Sequence, residues 1–261
     1  MTSFGSDLYY TSLSLRFEFI KHLRRRRLLI VGALAVIVPL LFLISSPDTA
    51  DQFASNSLTF VSFLIIISGA MFAGDAISGE FEKKTGLLLF PTPQRRVSIF
   101  AGKYLAALVA TLLVVSIYYI VVTVEIIGLF GAGSIPVELA KSYLVAALYS
   151  CSVVSIIFFF SSVFKKIIVS TLIGFFFLFM ILPILSMVAM LLDVEPWFIV
   201  TYPAGLITNV LGAISLGASH GGEDFMAKFT PDFGVGIAVI IVYAIVFFLA
   251  GTWIANRRNM E

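Results

Sequence analysis

Charge is scarce in this chain: only 12% of its 261 residues are Asp, Glu, Lys or Arg. Soluble domains carry about a quarter, so the shortage excludes an ordinary water-soluble fold. Cysteine is almost missing. Cys151 stands alone in an apolar run, where it can build neither a disulfide framework nor a thiolate metal site, and helix packing is its expected role. Histidine is nearly as rare. His22 is expected among solvated headgroups, and His220 in a flexible SLGASHGGEDF tip. Neither lies in an apolar span, so an intramembrane protease or metalloenzyme would lack its base and ligands, and no metal site is expected. The phosphate-cradling pattern GxxxxGK followed by Ser or Thr does not occur. The chain is therefore not expected to bind ATP in that mode, or to be catalytic alone. A net charge of only +2 argues against nucleic acid as a partner.

What the chain has is grease. Apolar residues make up 60% of it and the mean hydropathy is +1.06. A hydrocarbon core of about 30 Å needs about 20 apolar residues in a helix. Six such runs are found, at 28 to 45, 57 to 74, 98 to 127, 138 to 164, 167 to 192 and 233 to 255. The expected fold is all-α: six transmembrane helices over 28 to 255, a leader at 1 to 27 and a tail at 256 to 261. No cleavable signal is expected, because the first run begins only after Arg27 and is long enough to span and stay. Four consecutive arginines, Arg24 to Arg27, close the leader, and short loops rich in Lys and Arg stay cytoplasmic. With both termini inside, the cytoplasmic pieces hold 15 of the 17 Lys and Arg, while the outer pieces are acidic. This predicts a multi-pass protein of the cell membrane.

Within the leader, Tyr9 to Arg25 divides at helical spacing into a polar stripe (Thr11, Ser14, Glu18, Lys21, Arg25) and an apolar arc that includes Tyr10, Leu13, Phe17 and Ile20. Such a helix is expected to lie in the membrane plane, its greasy side in the acyl boundary. In the second span Gly69, Ala70, Ala73 and Gly74 form two interlocked small-xxx-small pairs, which predict a close helix crossing. Pro39 and Pro183 remove backbone donors inside spans one and five. Glu125 is a carboxylate in the outer half of span three, at a cost of about 2.5 to 3.5 kcal/mol if charged at the bilayer centre and less near the interface. It either lines a pathway, reaches the outer surface or pairs with a neighbouring helix. The segment from Asp193 to Asp232 is too long for a turn and too apolar for a free loop. Its core, Tyr202 to Leu216, is expected to form a short re-entrant or surface-lying outer helix.

The segment that stands apart is DAISGEFEKKTGLLLFPTPQRRVSIFAGK, residues 75 to 103, with eight charged residues around a greasy middle. Leu87, Leu88, Leu89 and Phe90 follow Thr85-Gly86 and are halted by Pro91 and Pro93. This knuckle either dips into the headgroup region or docks into a groove of a soluble partner. Its spacing resembles the cytoplasmic loop of type-2 ATP-binding cassette exporter permeases: Glu80 and Glu82, then Thr85, then Pro93 and Arg96, then Gly102 and Lys103. Lys84 stands where that family usually carries Gly. The amphipathic leader likewise resembles that family's interfacial helix before the first span, and the outer segment resembles its short helices between the last two spans.

The resemblance implies a coupling loop that takes the stroke of a separate ATPase. The interface with that ATPase subunit would comprise Glu80, Glu82, Lys83, Thr85, Leu87 to Phe90, Pro93, Arg96 and Lys103. It further implies a second permease copy or a related chain, membrane lipids around both, and ATP with magnesium bound by the partner and not by this chain. An ion-gradient-driven transporter or channel, or a membrane anchor that recruits soluble proteins, are the alternatives. The first of these would lead one to expect several ionisable groups near the midplane and an internal inverted repeat.

Overall fold

In a medium without water every backbone N–H and C=O must be satisfied within its own segment, and long apolar runs therefore become helices. The computed structural model describes residues 4–24, 26–45, 49–84, 96–211 and 231–257, and among these every regular element is helical. His220 lies outside the described residues.

The order is α1 (Phe4–Arg24), α2 (Arg27–Phe42), α3 (Ala50–Leu58), α4 (Val61–Ala73), α5 (Ser78–Glu82), α6 (Arg96–Phe130), α7 (Glu138–Val163), α8 (Ile167–Phe176), α9 (Leu182–Leu191), α10 (Leu206–Asn209) and α11 (Phe233–Arg257). Among the described residues five stretches are long and apolar enough to cross a membrane: Ala50–Glu82, Arg96–Phe130, Glu138–Val163, Ile167–Leu191 and Phe233–Arg257. They match the second to sixth runs read from the sequence, the second beginning earlier and ending later than its apolar stretch. The first run forms the 16-residue α2 and a short 3-10 turn, Leu43–Ser45. Together they have the build of a multi-pass membrane protein.

Helix ends follow local chemistry. The Thr49 hydroxyl accepts from the Gln52 N–H and starts α3, and the Asp232 carboxylate accepts from Gly234 and Val235 N–H at 2.8 and 3.1 Å and starts α11. Gly131 follows α6 at φ 89, a left-handed conformation that suits glycine. Inside the fourth stretch, Ile167–Leu191, Pro183 has no N–H to give, and its ring crowds the carbonyl four residues earlier. The chain accommodates it with a wider π-helical turn, Phe177–Ile181, just upstream. Pro39 sits buried within α2 without ending it.

The core lies where α4, α6 and α7 meet, with Leu64, Ile65, Ala110, Val114, Tyr149 and Val153 all buried. Helices α2, α8 and α11 pack around it, and these helices, with the π-helical turn and α9 that continue α8, turn apolar faces outward. Ile37, Met180, Ile184, Ile245 and Leu249 are each about half exposed, an apolar exterior that water would not tolerate and lipid covers. After Asp193, itself at φ 60, the chain makes the short α10 behind Pro203. Leu206 and Ile207 are buried in the core, and the Ser142 hydroxyl of α7 donates to the Ile207 carbonyl at 2.6 Å. The described helix is shorter than the expected Tyr202–Leu216 stretch, and residues 212 to 216 lie outside the described ones.

A β-carbon added at Gly69 would stand 3.1 Å from both Val153 and Ile157 of α7, whereas one at Gly128 would meet nothing within 4 Å. Gly69→Leu is therefore expected to destabilise the bundle by about 1–3 kcal/mol through overpacking. Gly128→Leu should leave the melting temperature of the detergent-solubilised protein nearly unchanged.

Candidate functional site

The first membrane-length stretch, Ala50–Glu82, does not stay α-helical to its end. Between α4 and α5 the backbone turns over Gly74, Asp75, Ala76 and Ile77; bonds such as Gly74 N–H to the Ala70 carbonyl persist, but backbone partners alone do not satisfy all its polar groups. Serines from two other helices supply further partners. The Ser161 hydroxyl of α7 accepts from the N–H groups of Ile77 and Ser78 at 3.0 and 3.1 Å, and the Ser170 hydroxyl of α8 donates to the Gly74 carbonyl at 2.7 Å. Ser78 and Ser170 are themselves 2.9 Å apart. All three serines are fully buried, so this opening is irregular backbone enclosed in protein, the only place a bilayer tolerates it. Glycine is required at position 74, because a β-carbon there would collide with Thr171.

Just beyond the opening lies a charge cluster. The Lys103 ammonium, on the second turn of α6, is 4% exposed and donates to Glu18 of α1 and, at 2.7 Å, to Glu80 of α5. Lys21 joins it, its ammonium 2.6 Å from the second Glu18 oxygen. Nearby, Arg27 reaches from α2 to the Met71 carbonyl at 3.0 Å and to the Asp75 carboxylate at 2.9 Å. Glu82 caps α8, its carboxylate accepting from the Ile167 N–H at 2.5 Å. Helix α1 is thus fastened to α6 by its polar stripe. A β-carbon on Gly102 would stand 2.5 Å from Ser14, and Ser14 donates to the Ile99 carbonyl at 3.2 Å.

Electrostatics follow from this geometry. Burial alone would raise the Glu18 carboxyl, but the neighbouring Lys103 and Lys21 ammoniums outweigh it and hold the group at about 2. Burial lowers His22 to about 4, against the pull of the Asp75 and Glu18 carboxylates and with Lys21 and Arg27 pushing the same way. His22 is 3% exposed and meets the Phe72 ring edge-on at 5.3 Å. The expectation of a solvated headgroup neighbour is therefore corrected: the polar stripe, and His22 beside it, turn toward the bundle because Lys103 needs a counterion there.

The residues expected to meet a partner divide into three groups. Lys103 is buried within the protein and Glu80 faces it, so their contacts as folded are internal. Glu82, Lys83 and Lys84 are exposed, and Arg96 opens α6 with its guanidinium 3.5 Å from the Asn256 carbonyl at the end of α11. Thr85, Leu87, Leu88, Leu89, Phe90 and Pro93 lie outside the described residues. Lys84 has φ 54, the left-handed conformation that explains why glycine suits that place. Of the leader's apolar arc, Phe17 is 67% exposed while Tyr10, Leu13 and Ile20 are half-buried.

In the second span Ala70 and Ala73 are buried, Gly69 meets α7 and Gly74 meets α8. Glu125 is 8% exposed, and among the described residues neither carboxylate oxygen has a hydrogen-bond partner. Sequence reasoning passed over Glu18, Arg27, Ser161 and Ser170 as site residues. The available signal was their polarity at or inside apolar runs, which has no direction until the helices are packed.

Among the described residues no three His, Cys, Asp or Glu side chains gather to hold a metal ion. What the cluster offers is mechanical: three helices and the root of the 85–95 segment are tied to one ammonium. Residues 27–260 match the family model described as "Protein of unknown function (DUF2705)". No curated protein matches the chain.

Lys103→Met leaves two carboxylates without their shared cation, and a loss of about 3–5 kcal/mol in thermal stability is expected. Adding Glu18→Gln and Glu80→Gln to it should recover most of that loss. A second test uses pH. Below 6.5 an undocked His22 takes a proton that the docked one refuses until about pH 4. The His22 contribution to stability should therefore fall as pH drops across that window and level off beneath it. Glu18, lowered from 4.5 to about 2, keeps its full contribution above about pH 5 and loses it progressively between 4.5 and 2. Melting curves of His22→Leu should lack the slope between pH 6.5 and 4.

Proposed function

The chain belongs to the DUF2705 family, and from that premise we propose that it is the membrane subunit of an ATP-binding cassette exporter, driven by a separate ATPase. The observation that carries the proposal is the buried Lys103 tie. It fastens both flanks of the 85–95 segment, through Glu80 before it and Lys103 after it, to α1. A displacement applied to that segment reaches α4 through α5 and the bilayer through α6, because neither flank can move without the other. Glu82 extends the connection to α8.

In this reading α2 and its 3-10 turn form a sixth span. Sixteen α-helical and three 3-10 residues rise about 30 Å, the thickness of the hydrocarbon core. Helix α1 is then the interfacial helix, polar side on α6 and exposed Phe17 toward the acyl boundary. The Arg24–Arg27 run puts the leader, the 75–103 loop and both termini in the cytoplasm of the cell. Two such bundles, identical or related, stand over two ATPase subunits that hold the ATP and magnesium. Glu82, Lys83 and Arg96 at the rim, with the Leu87–Phe90 knuckle, form the docking surface.

One observation favours another class. The buried Glu125 carboxylate, unpartnered among the described residues, is the kind of group that ion-driven transporters use.

Native purification is expected to bring down a nucleotide-binding subunit. Glu82→Ala and Arg96→Ala should lower the ATPase rate of the complex several-fold while leaving the bundle folded. A native complex without any nucleotide-binding subunit, or ATPase rates and assembly untouched by both substitutions, would overturn the proposal. Transport that persists without ATP and stops when ion gradients are dissipated would favour the ion-driven class.

A further inference from the structure

At the end of the bundle remote from Lys103, about 24 Å along α6, a cleft of about 800 Å³ opens between α6 and α7. Its lip is the Ile135–Val137 connection, and its open side is framed by Ile120 and Leu144, 61% and 63% exposed. No Asp, Glu, Lys or Arg lines it. Among the described residues its polar side chains all bear hydroxyls: Ser116, Tyr119, Thr123 and Tyr143.

The direction of their hydrogen bonds can be followed proton by proton, because a hydroxyl has one proton to give and two lone pairs. Ser116 gives its proton to the Leu112 carbonyl at 2.8 Å, so the Tyr143 hydroxyl, 2.8 Å away, must donate to Ser116. Ser142 gives its proton to the Ile207 carbonyl, so Tyr119, 2.8 Å away, must donate to Ser142. Thr123 gives its proton to the Tyr119 carbonyl at 2.7 Å. Every hydroxyl proton in the cleft is thus spent on the protein, and these hydroxyls offer a guest only their oxygen lone pairs. A guest that satisfies them must bring its own donor, and aliphatic walls without charge require the rest of it to be apolar and neutral.

We propose that this cleft binds a neutral amphiphile dissolved in the membrane, one whose apolar body carries a hydroxyl donor, as a diacylglycerol does. The occupant is identified by chemistry and by place: the cleft opens through Ile120 and Leu144 onto the face of α6 and α7 that lipid covers. The inference rests on the membrane-embedded part of the reading above and not on the ATPase. In an exporter it would name the substrate class.

The test uses the full chain in lipid nanodiscs without any ATPase subunit. The probes are a diazirine-bearing diacylglycerol and the same molecule with its hydroxyl methylated. Photolabelling is expected in peptides covering 116–124 and 139–144, and about two- to tenfold stronger for the free hydroxyl, the worth of one net hydrogen bond. The triple variant Ser116→Ala, Thr123→Val, Tyr143→Phe removes acceptors and keeps the walls. It should bring the two probes to equal labelling while the methylated probe still labels, which shows the cleft intact. Equal labelling of the native chain by both probes, or labelling no stronger than along α11, overturns the proposal. So does a Leu144→Cys disulfide between two copies that abolishes labelling, since it assigns the face to a second copy. A chain that labels as expected but purifies without an ATPase would retain the site and lose the exporter.

Discussion

One buried ammonium organises the working end of this protein. Lys103 begins a long apolar helix where water does not reach, and an uncompensated charge there would cost several kcal/mol. Glu18 and Glu80 compensate it, and in doing so they determine where α1 and α5 lie. Lys21 adds a second cation to Glu18. Excess stability is not the main yield of such a network, since a well-packed apolar triad could match it. Its yield is position: the three partners come from separated parts of the chain, and each ion pair is satisfied in one geometry only.

The same logic governs the opening before α5. Four residues interrupt the regular helix inside a bundle, and Ser161, Ser170 and Ser78 supply partners that the backbone there lacks. An opening stitched by hydroxyls differs from one closed by backbone, because side-chain hydrogen bonds can exchange partners without unfolding a helix. It stands between the rigid α4, packed on α7 through Gly69, and the charged root of the 85–95 segment. In the proposed exporter, a displacement of that segment meets the softest part of the second span first and the rigid part second. At the remote end the hydroxyls of the α6–α7 cleft spend their protons on the protein. The two ends of one bundle thus use hydroxyl chemistry oppositely, to hold backbone at one and to present acceptors at the other.

Much of the architecture was legible beforehand. Apolar runs two to six became the five membrane-length stretches because each is long enough to satisfy its own backbone, and Pro183 announced an irregularity that took the form of a π-helical turn. The small residues at 69, 70, 73 and 74 signalled close approach, and Gly69 does meet α7. Less of the site could be read. A polar stripe on α1 reads equally as a face for water or for a buried partner, and the partner, Lys103, is 85 residues from Glu18. His22 was misplaced for the same reason. Glu80 and Lys103 read as partner-facing charges, and their mutual attraction turned them inward.

The sequence by itself determined that the chain is helical, apolar and interrupted at one charged segment, because those properties depend on neighbours within a few turns. Tertiary structure alone decided which charges are buried together, which serines partner the interrupted helix and which hydroxyls remain as acceptors. These depend on the direction a side chain takes when two distant helices meet, and no spacing along the chain encodes that direction.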